Sequence, residues 1–270
     1  MVEFTMMVAP NGARRGKADH PALPVTTAEI AETARACHVL GVQALHLHVR
    51  DGEGVHSLDA GRYRAAIAAV AETAPTMGVQ ITTESAGLFD VPAQLACLEA
   101  LRPAAASVSV REMARDAGLA ARVYALCAEA GTEVQHILYS PACVAQLKAW
   151  YKDGTVPLQM RDAILVLGQY ATRQPARAAM LPAFLKEIAP LQLRWTLCAF
   201  GPEEHACLLA AITAGGQVRI GFENSLGAQD AAPWADNAAS VAAFLNLAEA
   251  QGHRLVPLAA TPDTTLRDFS

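Results

Sequence analysis

The 270-residue chain is short of charge and has no strong field of either sign. Charged residues make up 17%, against about 25% in typical soluble domains. Lysine and arginine number 21 and aspartate and glutamate 26, for a net charge of −5, with a pI of about 5.9. That balance excludes the broad basic surface on which nucleic-acid or anionic-membrane binding depends. No apolar run reaches the roughly 20 residues that a membrane span needs. The opening MVEFTMMVAP carries Glu3 and lacks an apolar core followed by a cleavage site. A soluble cytoplasmic protein is expected, with neither a membrane nor a nucleic acid as partner. The six cysteines (Cys37, Cys97, Cys127, Cys143, Cys198 and Cys207) form no CxxC and read as buried free thiols. There is no GxSxG elbow and no P-loop. Gly52-Glu53-Gly54 lacks the third glycine and the strand–helix setting of a dinucleotide fingerprint.

What the chain does have is apolar residues, 53% of the total, and a mean hydropathy of +0.21. A sizeable core follows, and disorder is excluded. Much of the missing charge is replaced by alanine, which leaves small, apolar helix surfaces suited to homo-oligomer contacts in a dimer or tetramer. Short β-branched runs alternate with helical runs along the whole length. Strands are expected at 2–10, 44–50, 79–85, 107–112, 133–140, 163–169, 192–200 and 217–225. Helices are expected at 26–41, 59–74, 91–101, 114–131, 141–154, 176–189, 201–216 and 237–252. Thr26 with Glu29 forms a capping box, and Asp59 caps the second helix. Strand–helix alternation with short links implies parallel strands and right-handed crossovers. Eight such units in 270 residues fit an α/β fold, a single-domain (β/α)8 TIM barrel over residues 1–270, with an open doubly wound sheet as the alternative.

In a barrel of this kind, chemistry sits at the C-terminal ends of the strands. The sharpest pattern there is His46-Leu47-His48, followed by Arg50 and Asp51. Residues i and i+2 of a strand share a face, so both imidazoles can reach one metal ion; two core histidines bonded to neighbours would read the same way. Two histidines need a third ligand. Arg219-Ile220-Gly221-Phe222-Glu223-Asn224 supplies Glu223, with Arg219 on the same face. In a closed barrel, strands eight and two flank strand one, so the three can converge. Between them lies Asn11-Gly12-Ala13-Arg14-Arg15-Gly16-Lys17, a positively charged loop that suits an anionic substrate or a cofactor phosphate. Thr82, Thr83 and Glu84 end strand three. Ser107, Ser109, Arg111 and Glu112 line strand four, and Glu133, Gln135 and His136 lie on strand five.

The segments APNGARRGKADHPALPVT, ALHLHVRDGEGVHSLD and VRIGFENS resemble the β-keto acid cleavage enzyme family, whose founding activity is 3-keto-5-aminohexanoate cleavage. The resemblance runs through essentially the whole chain in order. It implies a (β/α)8 barrel that holds Zn2+, one per chain, through His46, His48 and Glu223. It also implies that a β-keto acid and acetyl-CoA give acetoacetate and a new acyl-CoA by Claisen and retro-Claisen steps, with Arg219 assisting the acid–base residue. Three positions depart from the founding pattern. Asn224 stands where the acid–base aspartate is carried, and Asn cannot exchange a proton near neutral pH. Arg14 stands at or near the glutamate that meets an amino-bearing substrate. Strand five reads Glu133-Val134-Gln135-His136-Ile137-Leu138 in place of E-x-E-x-F-D.

All three changes remove negative charge or add positive charge, so an anionic or strongly polar keto acid is expected, with Arg14 pairing to it. The catalytic set is read as Arg219, Glu84 and Asn224, with Glu84 the first choice of base and His136 the second. Asn11, Arg14, Thr83, Ser109 and His136 are the expected substrate-binding residues. Two other readings remain open. An amidohydrolase-type metal hydrolase also uses H-x-H, but on strand one and with a histidine on strand six that is missing here. A non-catalytic zinc-binding protein for keto acids or CoA esters would account for the loss of the aspartate.

Overall fold

The computed structural model describes residues 1–168, 175–228 and 232–258. Eight parallel strands close into a barrel: β1 (Met6–Val8), β2 (Ala44–Leu47), β3 (Gly78–Thr82), β4 (Ala105–Ser109), β5 (Glu133–Leu138), β6 (Asp162–Leu167), β7 (Arg194–Ala199) and β8 (Gln217–Ile220). Neighbours follow chain order, and β8 pairs with β1 to close the ring. The outer layer comprises α1 (Thr27–Val39), α2 (Ala60–Thr73), α3 (Val91–Leu101), α4 (Ala117–Ala130), α5 (Pro141–Asp153), α6 (Leu181–Ile188), α7 (Glu204–Thr213) and α8 (Asn237–Ala250). The expected (β/α)8 TIM barrel is the observed fold, and the open sheet is excluded by closure. No helix among the described residues is long and apolar enough to cross a membrane.

Several helix starts follow a side-chain cap. Thr26 Oγ1 accepts from Glu29 N at 3.2 Å while Glu29 Oε2 accepts from Thr26 N at 2.9 Å, which satisfies both halves of a capping box. Asp59 caps α2 and Asp116 caps α4. The Asp116 cap is why α4 begins at Ala117 and not at 114.

Strand ends differ from expectation for identifiable reasons. The expected first strand, 2–10, is two strands. Val2–Phe4 pairs with His253–Leu255 outside the barrel, and only Met6–Val8 enters it. Between them, the Thr5 N–H and hydroxyl both bond to Gln217 Oε1, so a side chain takes the place of the ladder. The second strand stops at Leu47, and Val49–Arg50 turns away into a hairpin with His56–Ser57. The fourth stops at Ser109. Its hydroxyl accepts from Glu112 N at 3.3 Å and opens a one-turn helix, Val110–Met113, so Arg111 and Glu112 lie above the strand and not on it. The helix expected at 176–189 begins with a 3₁₀ turn at Ala178–Met180. Gln169, at the end of the expected sixth strand, lies outside the described residues.

One large apolar core fills the space between barrel and helices, while a small cluster of Ile137, Ile164, Val166 and Cys198 sits inside the barrel. All six cysteines are free and buried, as expected. Strand alternation puts Ile137 and Gln135 inside and therefore His136 outside. There the His136 ring packs between Tyr124 and Tyr151, and its Nε2 lies 3.0 Å from the Met160 carbonyl oxygen. His136 belongs to the helix-facing wall, which corrects its expected role in substrate binding or as a base.

Burial pushes the His136 imidazole down to about 4, against an ordinary value of 6.5. Between those values the unfolded chain takes up a proton that the native site refuses. The contribution of His136 to stability is therefore complete above pH 6.5 and is lost as pH falls toward 4. The expected observation is a His136 imidazole that stays neutral down to pH 5 by NMR; a midpoint near 6.5 would contradict its place in the wall.

Candidate metal centre and active site

His46 lies on β2 and His48 just beyond its end. Leu45 and Leu47, on the alternate face, join the outer core. The two Nε2 atoms face each other at 3.2 Å. Glu223 Oε2 lies 3.6 Å from His46 Nε2 and 3.4 Å from His48 Nε2, and all three side chains are buried. Glu223 reaches this position from the turn after β8. Gly221 begins that turn at φ +140°, and the Ala9 carbonyl fills the space where its Cβ would be. On the other side, a Cβ on Gly12 would fall 2.6 Å from Glu223 Cγ, so only glycine lets the loop after β1 close over the carboxylate.

Arg219 Nη2 donates to Glu223 Oε1 at 3.0 Å. Burial alone would raise the Glu223 carboxyl, but the Arg219 guanidinium and the two imidazoles outweigh it and hold the group well below its usual range. One oxygen thus faces the arginine and the other the histidines.

The protonation of His46 follows from its neighbours. Its Nδ1 lies 2.8 Å from Gln80 Oε1. Gln80 Nε2 donates to Gln135 Oε1 at 3.2 Å, and Gln135 Nε2 donates to Thr196 Oγ1 at 3.3 Å. This chain across the barrel leaves Gln80 Oε1 as acceptor, so His46 Nδ1 carries the hydrogen and Nε2 presents a lone pair. Burial, reinforced by the positive charge of Arg219, pushes His46 down to about 3, so it is neutral. A buried imidazole lone pair and a buried carboxylate oxygen converge with a second imidazole, all ligand atoms lying within 4.8 Å of one another. The set fits a divalent ion of the His₂Glu type with an open coordination position.

A cavity opens above this cluster. Arg14, Glu84, Arg111 and Arg219 line it together with His46 and Glu223, and Ile137, Tyr139, Val166 and Phe200 form its apolar wall. Glu84 Oε2 lies 4.0 Å from His48 Nε2, and Glu84 Oε1 lies 3.8 Å from Arg14 Nη2. Burial raises the Glu84 carboxyl; Glu223 and Glu112 add to that, whereas His48 and Arg14 oppose it. His56 holds the backbone here, its Nε2 lying 2.8 Å from the Glu84 carbonyl oxygen.

The remaining expected residues support the site from outside the cavity. Asn11 donates to the carbonyls of Pro24 at 3.0 Å and His48 at 3.2 Å, and so pins the loop after β1 to the end of β2. Thr83 Oγ1 donates to the Ser107 carbonyl at 3.1 Å. Ser109 caps the one-turn helix. Of the three cations in the β1 loop, only Arg14 lines the cavity. Arg15 donates to the Phe222 carbonyl at 2.7 Å, and Lys17 pairs with Glu29 at 2.6 Å.

Asn224 is fully buried and is not among the residues lining the cavity. Its Oδ1 accepts from Arg219 Nη2 at 3.3 Å, while its Nδ2 donates to the Arg219 carbonyl and to Glu204 Oε1, both at 3.1 Å. Its geometry is that of a residue positioning Arg219, which corrects its place in the expected catalytic set. Glu204, which the sequence did not single out, also accepts from Gly221 N at 3.2 Å, and burial pushes its carboxyl up to about 8. An aspartate at 224 would face this second buried carboxyl; the amide replaces that repulsion with a hydrogen bond. Gln80 was also missed, although its inward position on β3 was legible from the alternation with Thr82. For Glu204, at the start of a helix, no local signal existed.

Residues 4–264 match the family described as beta-keto acid cleavage enzyme. The chain is 26% identical to a 3-keto-5-aminohexanoate cleavage enzyme of Fusobacterium nucleatum, over 97% of this chain and 96% of that one. It is also 26% identical to a 3-oxoadipate:acetyl-CoA acetyltransferase of Cupriavidus necator, over 93% of this chain and 90% of that one. Among solved structures, ObcA in binary complex with oxaloacetate superposes with a TM-score of 0.61 at 14% identity. That match covers 88% of this chain and 66% of ObcA. The 3-dehydroquinate dehydratase of Geobacillus kaustophilus superposes with a TM-score of 0.60 at 12% identity, over 92% of both chains. These two structures share the barrel fold. The match over nearly the whole length means that the chain belongs to the β-keto acid cleavage enzyme family.

Proposed function

We propose that this enzyme binds Zn2+ through His46, His48 and Glu223 and transfers the acyl group of a β-keto acid from carbon to CoA sulfur. The observation that carries the reading is the convergence of those three buried ligands at one end of a cavity lined by Arg14, Arg111 and Arg219. The acetyl-CoA-dependent relative supports acetyl-CoA as the second substrate. The net change is R–CO–CH2–COO⁻ plus acetyl-CoA giving R–CO–SCoA plus acetoacetate. The C2–C3 bond of the keto acid breaks, C2 joins the acetyl carbonyl carbon, and the thiolate released from acetyl-CoA takes the acyl fragment.

When bound, the ion supplies Lewis-acid polarisation of the keto acid's carbonyl oxygen. The chain's own residues do the rest. Glu84 is the acid–base group: its carboxylate takes the C2 proton, which lies between two carbonyls, and returns it to the same carbon once the C2–C3 bond has broken. Burial makes Glu84 a stronger base than a surface carboxylate. Arg219, held by Glu223 and Asn224, places positive charge beside the reacting oxygens. The lining carries three arginines against two glutamates, which favours an anionic acid, and Arg14 supplies charge at the mouth.

The deciding experiment incubates the zinc-loaded protein with acetyl-CoA and neutral, cationic and dicarboxylic β-keto acids. Acetoacetate and a new acyl-CoA, followed by mass spectrometry, are expected, with loss on chelation and return on adding zinc. Absence of any acyl-CoA with one zinc bound per chain would overturn the reading. Glu84→Gln is expected to lower kcat by about 10²–10⁴-fold with zinc content unchanged, which distinguishes an acid–base role from loss of the site. Gln80→Leu removes the acceptor that fixes His46 and is expected to weaken zinc binding about 10–100-fold in chelator competition; equal affinity would remove Gln80 from the metal site.

A further inference from the structure

The barrel register brings an arginine onto an aromatic face at the cavity. Ser109 of β4 pairs with Ile137 of β5. Just beyond these paired ends, Arg111 on the one-turn helix meets Tyr139, and its guanidinium carbon lies 3.5 Å from the Tyr139 ring centroid. Both line the same cavity as His46 and Glu223.

The support beneath Arg111 is rigid. Ser109 caps its turn. The adjacent Glu112 is buried and accepts from Ser85 N at 3.0 Å, Ser85 Oγ at 2.9 Å and Gln94 Nε2 at 2.7 Å. With Glu112 locked inward, Arg111 is turned out into the cavity. Among the described residues no carboxylate pairs with Arg111, whereas Arg14 already faces Glu84. Stacking orders a guanidinium and leaves its planar N–H edge available, which suits bidentate capture of a carboxylate. Ile137, Val166 and Phe200 complete an apolar wall suited to methylenes.

We propose that Arg111, laid flat on Tyr139, receives the far-end carboxylate of a dicarboxylic β-keto acid whose reacting end lies at the His46–His48–Glu223 cluster. This rests on the β-keto acid reading and adds to it the residue that sets specificity. Phosphates of the CoA carrier share this anionic chemistry, and the experiment separates the two sources.

The test compares 3-oxoadipate with 3-oxohexanoate, which has the same number of carbons and ends in a methyl group. Dissociation constants are measured by calorimetry on the zinc-loaded protein without acetyl-CoA, and kcat/KM and the KM for acetyl-CoA are measured with it. The native protein is expected to prefer 3-oxoadipate at least tenfold in binding and in kcat/KM, and Arg111→Met to cut both preferences at least tenfold. A preference that stays within twofold in Arg111→Met overturns the proposal. So does a rise in the KM for acetyl-CoA that is equal with both keto acids, which would assign Arg111 to the carrier's phosphates. Turnover without preference in the native protein also overturns the proposal while leaving the reaction intact. An Arg111-dependent binding preference without turnover supports this subsite and counts against the acyl-transfer reading.

Discussion

One buried carboxylate organises the upper end of the barrel. Taking Glu223 out of water costs several kcal/mol, and in this interior only an excellent set of partners offsets that. Arg219 meets one oxygen at 3.0 Å and the two imidazoles meet the other. Breaking such a pair costs about 3–5 kcal/mol, because a charge is left buried and uncompensated. The surrounding features follow from keeping this one geometry. Gly12 and Gly221 admit the backbone that closes over Glu223, Arg15 ties the β1 loop to the Phe222 carbonyl, and Glu204 holds Asn224 against Arg219.

The same arrangement divides the site into groups that stay neutral and groups that stay charged. His46 and His56 are each pushed down to about 3, principally by burial, so these two imidazoles stay neutral over the physiological range. Glu223 is held ionised by its partners, while Glu84, with weaker compensation, is raised. Two carboxylates beside His48 thus acquire opposite tendencies, one suited to hold a cation and the other to exchange a proton. Asn224 belongs to this balance. It keeps an acceptor on Arg219 without adding a further negative charge next to Glu204.

Much of the site was legible because strand alternation is a local rule. His46 and His48 share a face, and Leu45 and Leu47 take the other. The same rule, applied to β5, would have sent His136 outward once Gln135 and Ile137 were assigned inward. Polar residues at 133, 135 and 136 stand on both faces of that strand and mask the alternation. Arg111 and Glu112 were misplaced for a different reason. A serine two residues earlier ended the strand by capping a turn, and a hydroxyl serves a strand or a cap equally well until its partner is known.

The sequence by itself determined the alternation of eight strands and helices, the pairing of two histidines and a glutamate at two strand ends and the surplus of positive charge around them. Each depends on spacing within about ten residues or on composition. Only the tertiary structure decided that Gln80 fixes His46, that Glu204 holds Asn224, and that Arg111 lies on Tyr139. These contacts join residues 34, 20 and 28 positions apart. Their existence depends on barrel closure and register, which no local pattern encodes, because the same polar residue is satisfied by whichever neighbour the folded chain brings within hydrogen-bonding distance.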